Sequence, residues 1–182
     1  MNVAPRTPAT LLIGLRGSGK TTLGRLLAAR RHVPFVDLDE RTIERSGHPS
    51  VSAMFRAVGE AAFRAAEVAA LQDVLVASPV AGAVIALGGG TPTTLGAREL
   101  IEAARTAGAA RVILLEAPAA VLGARLSVAP GDRPLLMGAD FTEEAELLAA
   151  RRMPIYRALA DAVIATSTTT ADALAALDAA TA

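Results

Sequence analysis

The chain has 182 residues, enough for one domain with a sheet between helices, and 52% of them are hydrophobic, mostly Ala, Leu and Val. Its 18 basic and 18 acidic residues cancel, so no net field would draw in DNA or RNA. It has no cysteine and two isolated histidines, which excludes disulfides, thiolate chemistry and cysteine-based metal centres and leaves oxygen ligands for any metal.

Taken in chain order, the opening MNVAPRTPAT lacks the charged and apolar blocks of a signal peptide, and no apolar run approaches the roughly 18 residues that span a bilayer. A cytoplasmic protein with no membrane contact is expected. Short apolar runs alternate with longer amphipathic ones, the pattern of strand-helix units around a parallel sheet. The predicted strands are Thr10 to Leu15, Pro34 to Asp37, Ala83 to Leu87, Arg111 to Leu115 and Asp161 to Ala165. The predicted helices are Lys20 to Arg31, Gly59 to Val76, Ala97 to Ala107, Pro118 to Leu126, Glu143 to Leu159 and Ala171 to Ala180, with Thr142 and Thr170 as N-caps. Two Gly/Pro-rich stretches, Gly88 to Gly96 and Val128 to Asp140, fit neither period and are expected to carry ligand contacts. No repeat or linker divides the chain, so residues 1–182 read as a single α/β domain.

The run Gly14-Leu15-Arg16-Gly17-Ser18-Gly19-Lys20-Thr21 fits GxxxxGK followed by Ser or Thr, after an apolar strand and at the start of a helix. That is the context in which a loop wraps phosphate oxygens with backbone N–H groups, and it predicts nucleoside triphosphate binding by Gly17, Ser18, Gly19, Lys20, Thr21 and Thr22. Lys20 is expected to reach the β and γ phosphates, and Thr21 to offer its hydroxyl to Mg²⁺. Lys20 is also the only lysine beside 17 arginines. Where a cation of either kind would serve, this chain uses Arg, so survival of the lysine points to a need for a compact ammonium.

The second predicted strand ends in Asp37-Leu38-Asp39. Residues two apart share a face, so both carboxylates can point into the crevice at the carboxyl edge of the sheet, one supporting Mg²⁺ and one taking a hydroxyl proton. Asp39 also fits a plainer role, capping a helix that begins at Glu40.

These motifs, together with GEAAFRAAE, LGGGTPT, GDRPLL and RRMPIYRALAD in the same order, resemble the shikimate kinase family of P-loop folds over nearly the whole chain. The resemblance implies a three-layer α/β sandwich whose five parallel strands are ordered 2-3-1-4-5, with a lid at about 128–140 and an acceptor region at about 39–67. It implies transfer of the γ-phosphoryl of ATP to the 3-hydroxyl of shikimate, with Mg²⁺ as cofactor, in aromatic amino-acid biosynthesis through chorismate. In that pattern Asp39 is the base and a shikimate ligand, and Asp37 is the water-mediated magnesium partner. Arg64 and Arg152 bind the acceptor carboxylate, Gly88, Gly89 and Gly90 line it with bare backbone, and Arg133 closes over the transferring phosphoryl group. By spacing alone, Glu60, Arg64 and Glu67 are also a helix-surface ion-pair series. Under the resemblance Glu67 instead holds the Arg64 guanidinium ready for a planar carboxylate. Arg151, next to Arg152, is expected to face solvent.

Departures from the family pattern fall on the adenine side. The stretch from Arg125 to Arg133 is one residue longer than usual, which leaves Arg125 without an assigned role. ATSTTT holds Thr and Ser where many relatives place an arginine. Competing readings are a kinase for another hydroxylated carboxylate, such as gluconate, and a ligand-sensing module without turnover. Asp39, Lys20 and Arg133 together favour catalysis, and a neutral surface leads to the expectation of a monomer.

Overall fold

The computed structural model describes residues 7–76, 82–131, 135 and 137–182. Arg133 therefore lies outside the described residues, as does part of the stretch predicted to form the lid.

Strands β1 (Ala9–Ile13), β2 (Phe35–Asp37), β3 (Val84–Ala86), β4 (Ala110–Glu116) and β5 (Ala162–Ala165) form one sheet in the order β2-β3-β1-β4-β5, and every pair is parallel. Alternation along the strands sorts side chains into two cores. Leu11, Ile13, Ile85, Leu87, Val112 and Leu114 face one side, whereas Leu12, Val84, Ile113, Leu115 and Ile164 face the other. The first side is covered by helices α3 (Val51–Val76), α4 (Ala97–Thr106), α5 (Ala119–Val128) and α6 (Phe141–Leu159). The second is covered by α1 (Lys20–Arg31) and α7 (Thr170–Ala180), through Leu23, Leu27, Leu174 and Leu177. A sheet buried on both faces explains why its strands read as continuous apolar runs.

Several boundaries differ from the sequence expectation. Helix α2 (Leu38–Ser46) begins directly at the end of β2, so Asp39 lies in a helical turn beyond the strand and the strand-face argument for it fails. The cap is Asp37, whose side chain accepts from the Asp39 N–H at 3.1 Å. The helix expected from Gly59 is the second half of α3, which starts at Val51 and breaks at Gly59, where φ is 78°. Asp140, not Thr142, caps α6, accepting from the N–H groups of Thr142 and Glu143, because its side chain lies one residue outside the first turn. For the same reason Thr169, not Thr170, caps α7.

Candidate active site

The phosphate loop joins β1 to α1 at the carboxyl edge of the central strand. Gly17 and Gly19 have φ of 78° and 91°, left-handed values that suit glycine and turn successive peptides in one direction. Gly19 is also the N-cap of α1 and makes no side-chain cap, and no acid occupies the first turn, so the leading N–H groups of α1 face an anion-compatible end. Ser18 is 1% exposed, and its hydroxyl is buried without a hydrogen-bond partner among the described residues. Such a group is costly until a ligand completes it, which fits a loop shaped for phosphate oxygens. Lys20 Nζ folds back to donate to the carbonyls of Gly14 and Leu15, each at 2.9 Å. Thr21 Oγ1 donates to Asp37 Oδ2 at 2.8 Å, which joins the loop to the end of β2.

A cleft of about 730 Å³ runs from this loop across the sheet edge. It brings together Gly17, Ser18, Gly19, Lys20, Thr21 and Thr22 with Asp37, Asp39, Gly89 and Arg152. Arg64, Gly88 and Gly90 are not on its wall but form the layer next to it. A Cβ on Gly90 would collide with the Arg64 guanidinium, and one on Gly88 would collide with Glu67 Oε1 and crowd Asp39 Oδ1. Neither glycine has a positive φ, so close packing is what requires them. At Gly89 an added Cβ would make only ordinary van der Waals contacts, the nearest at 3.6 Å, and this middle glycine lines the cleft.

Glu67 is fully buried on α3 and accepts from Arg64 Nη1 at 2.8 Å and from Thr91 Oγ1 at 2.5 Å. Arg64 also donates to Glu60 at 3.1 Å. Burial works against its charge, but the charges and hydrogen bonds of Glu67 and Glu60 outweigh that, and the guanidinium is held above its ordinary value. The ion-pair series read from spacing is thus present, and the same guanidinium packs against Gly90 in the layer next to the cleft. On α6, Arg152 Nη1 donates to the Gly89 carbonyl at 2.8 Å, and the Tyr156 hydroxyl donates to the same oxygen. Tyr156 is fully buried, and burial pushes its phenol up while Arg152 pulls against it. Arg151 is exposed, as expected.

Sequence reasoning left Arg125 without a role and missed Tyr156. Arg125 lies on the cleft wall, donating from Nη1 to the Gly17 carbonyl at 3.1 Å and from Nη2 to the Thr166 carbonyl. Thr166, Thr168 and Thr170 line the cleft beside it. These contacts join residues more than 40 positions apart through backbone carbonyls, which no local pattern encodes.

A phosphate loop on the central strand of a 2-3-1-4-5 parallel sheet, with acids at the end of the second strand, defines a P-loop kinase. The family model for shikimate kinase matches residues 16–179. A shikimate kinase from Stenotrophomonas maltophilia is 39% identical over 94% of this chain and 88% of its own length. One from Mycobacterium avium is 39% identical over 82% and 79%. The structure of the Acinetobacter baumannii shikimate kinase in complex with shikimate superposes with a TM-score of 0.82 at 28% identity, covering 94% of this chain and 90% of that one. A gluconokinase from Sinorhizobium meliloti, at 15% identity and a TM-score of 0.56, shares the fold alone. The chain belongs to the shikimate kinase family, whose members are ATP-dependent kinases.

Proposed function

We propose that this chain transfers the γ-phosphoryl group of ATP to the 3-hydroxyl of shikimate, giving shikimate 3-phosphate on the chorismate route to aromatic amino acids. The observation that carries this reading is one cleft holding Lys20 and Thr21 at one end and Asp39, Gly89 and Arg152 at the other, in a chain of this family. The shikimate-bound Acinetobacter structure, which covers 94% of the chain, supports the choice of acceptor. Asp39 takes the proton of the acceptor hydroxyl as its oxygen bonds to phosphorus and the bond to the ADP oxygen breaks. Arg152, with Arg64 fixed by Glu67, binds the acceptor carboxylate, and Gly88 to Gly90 bring backbone against the ring. The Lys20 ammonium leaves the carbonyls of Gly14 and Leu15 for the β and γ phosphates. The resemblance gives Arg133 the role of stabilising the transferring group.

For Mg²⁺, Thr21 and Asp37 are the residues that would hold the ion. Their adjacent oxygens suit a hard cation that takes few protein ligands and shares phosphate oxygens. Among the described residues no group of three His, Cys, Asp or Glu offers an alternative metal site. Held by Thr21 and Asp37, the ion would supply positive charge to the phosphate oxygens.

We further propose that residues 1–182 act as one domain, with the acceptor region at about 39–67 and the lid at about 128–140, as a monomer in the cytoplasm, where ATP is available. Among the described residues no helix is long and apolar enough to cross a membrane.

The test is ADP release with shikimate, quinate and gluconate as acceptors, beside Asp39→Asn. Shikimate should be preferred, and the variant should lose roughly 10²- to 10⁴-fold in kcat while still binding ATP. Preference for gluconate, or near-native turnover by the variant, would sink the reading.

A further inference from the structure

Arg16 occupies a variable position of the phosphate loop, where the loop pattern asks for no particular side chain, yet its guanidinium is engaged on three sides. Nη2 donates to the Pro130 carbonyl, just beyond the end of α5. Cζ lies 5.5 Å from the centroid of the Phe141 ring, at the first residue of α6. Nη1 stands 4.0 Å from Glu144 Oε2, a carboxylate 2% exposed in the first turn of the same helix. One side chain of the loop therefore touches both stems of the connection between α5 and α6. The chemistry suits arginine, since the edge of the planar fork serves the carbonyl and the carboxylate while its face covers a ring. A lysine ammonium could not serve all three.

We propose that Arg16 is a positioning residue for phosphoryl transfer. It ties the stem at 129–131 and the stem at 141–144 to the phosphate loop, so that a filled loop and both stems hold one geometry and screen the γ-phosphate from water. Its guanidinium acts through these contacts and not as a phosphate ligand. This rests on the kinase reading above, because the catalytic consequence is that the acceptor hydroxyl outcompetes water for phosphorus.

The test uses Arg16→Ala and Phe141→Leu in the full chain, each first checked for a cooperative melt. Without ligand, hydrogen exchange should speed up about tenfold or more in peptides covering 129–131 and 141–144 of Arg16→Ala, with α7 unchanged. In kinetics kcat should fall about tenfold or more with shikimate KM within about twofold, as expected for lost alignment. ADP released per shikimate phosphorylated should rise above the wild-type ratio, a shift that a general loss of stability would not produce. Phe141→Leu should move the same readouts in the same direction by less, and it decides the matter if Arg16→Ala does not fold. Unchanged exchange at both stems overturns the proposal, as does a rise in ATP KM alone with kcat and the ADP ratio unmoved, which would make Arg16 a phosphate ligand. If the wild type does not phosphorylate shikimate, the functional reading fails, while the exchange result still decides whether Arg16 ties the stems.

Discussion

Replacing the Lys20 ammonium by a guanidinium would keep the charge and lose the fit. The ammonium donates to two carbonyls of its own loop, Gly14 and Leu15, at 2.9 Å each, a placement that suits a compact point charge better than a longer planar group. Lys20→Arg is therefore expected to fold normally and bind ADP, yet to lose on the order of 10²-fold or more in kcat, because phosphoryl transfer depends on in-line placement. Steady-state kinetics beside a melting curve checks this, and activity within a few-fold of wild type would make the lone lysine an accident of composition. The arginines divide along a physical line. Arg64 and Arg152 were visible in the sequence because motifs carry them, whereas the reach of Arg125 to the Gly17 and Thr166 carbonyls depends on where two distant segments come to rest.

Helices α1, α4 and α7, which open directly after the phosphate loop, Gly96 and a run of threonines, were legible to within a residue at either end. Helix α2 was not, because only Leu38 and Thr42 of its nine residues are buried and the remainder reads as a charged loop. Its one clear signal was a cap, and the sequence offered Asp39 for it where the structure uses Asp37. The same shift occurs at α6, where the cap determines a testable stability. Asp140 accepts from Thr142 and Glu143 at 2.8 and 2.9 Å, so Asp140→Ala should cost about 1 kcal/mol. Thr142→Ala should not show a cap loss of that size, since its hydroxyl is not the capping group. Urea denaturation of both variants would decide it. Equal losses would mean that the helix starts two residues later than described. The cap bears on the proposed function because Arg152 and Tyr156, which hold the Gly89 carbonyl, hang from this helix.

At the scale of the whole molecule, the five-strand order gathers the described phosphate-loop residues, Asp37, Asp39, Gly89 and Arg152 at one edge of the sheet, and that order was reached through family resemblance, since periodicity alone does not rank strands. Buried between the sheet and α6, Tyr156 makes global stability sensitive to alkali. Its phenol is pushed above its ordinary value by burial, so the folded chain keeps a proton that the unfolded chain releases above about pH 10. Its contribution is fully present below that pH and is lost as pH rises further, so denaturation midpoints should fall steeply on the alkaline side. Tyr156 is the only tyrosine and there is no tryptophan, so phenolate absorbance reports it alone. Ionisation should accompany unfolding, and reversible ionisation near pH 10 with the fold intact would contradict its burial. The register of the sheet has one more outcome, which concerns the making of the chain. β1 precedes the other described strands in the chain and lies at the centre, yet Thr10 pairs with Val84 and Ala9 with Ala110. Strand β1 must therefore wait for β3 before it has one neighbour and for β4 before it has both, and the phosphate loop has no complete frame until then. The apolar run TLLIGL stays without one or both of its sheet partners until β4 has been made.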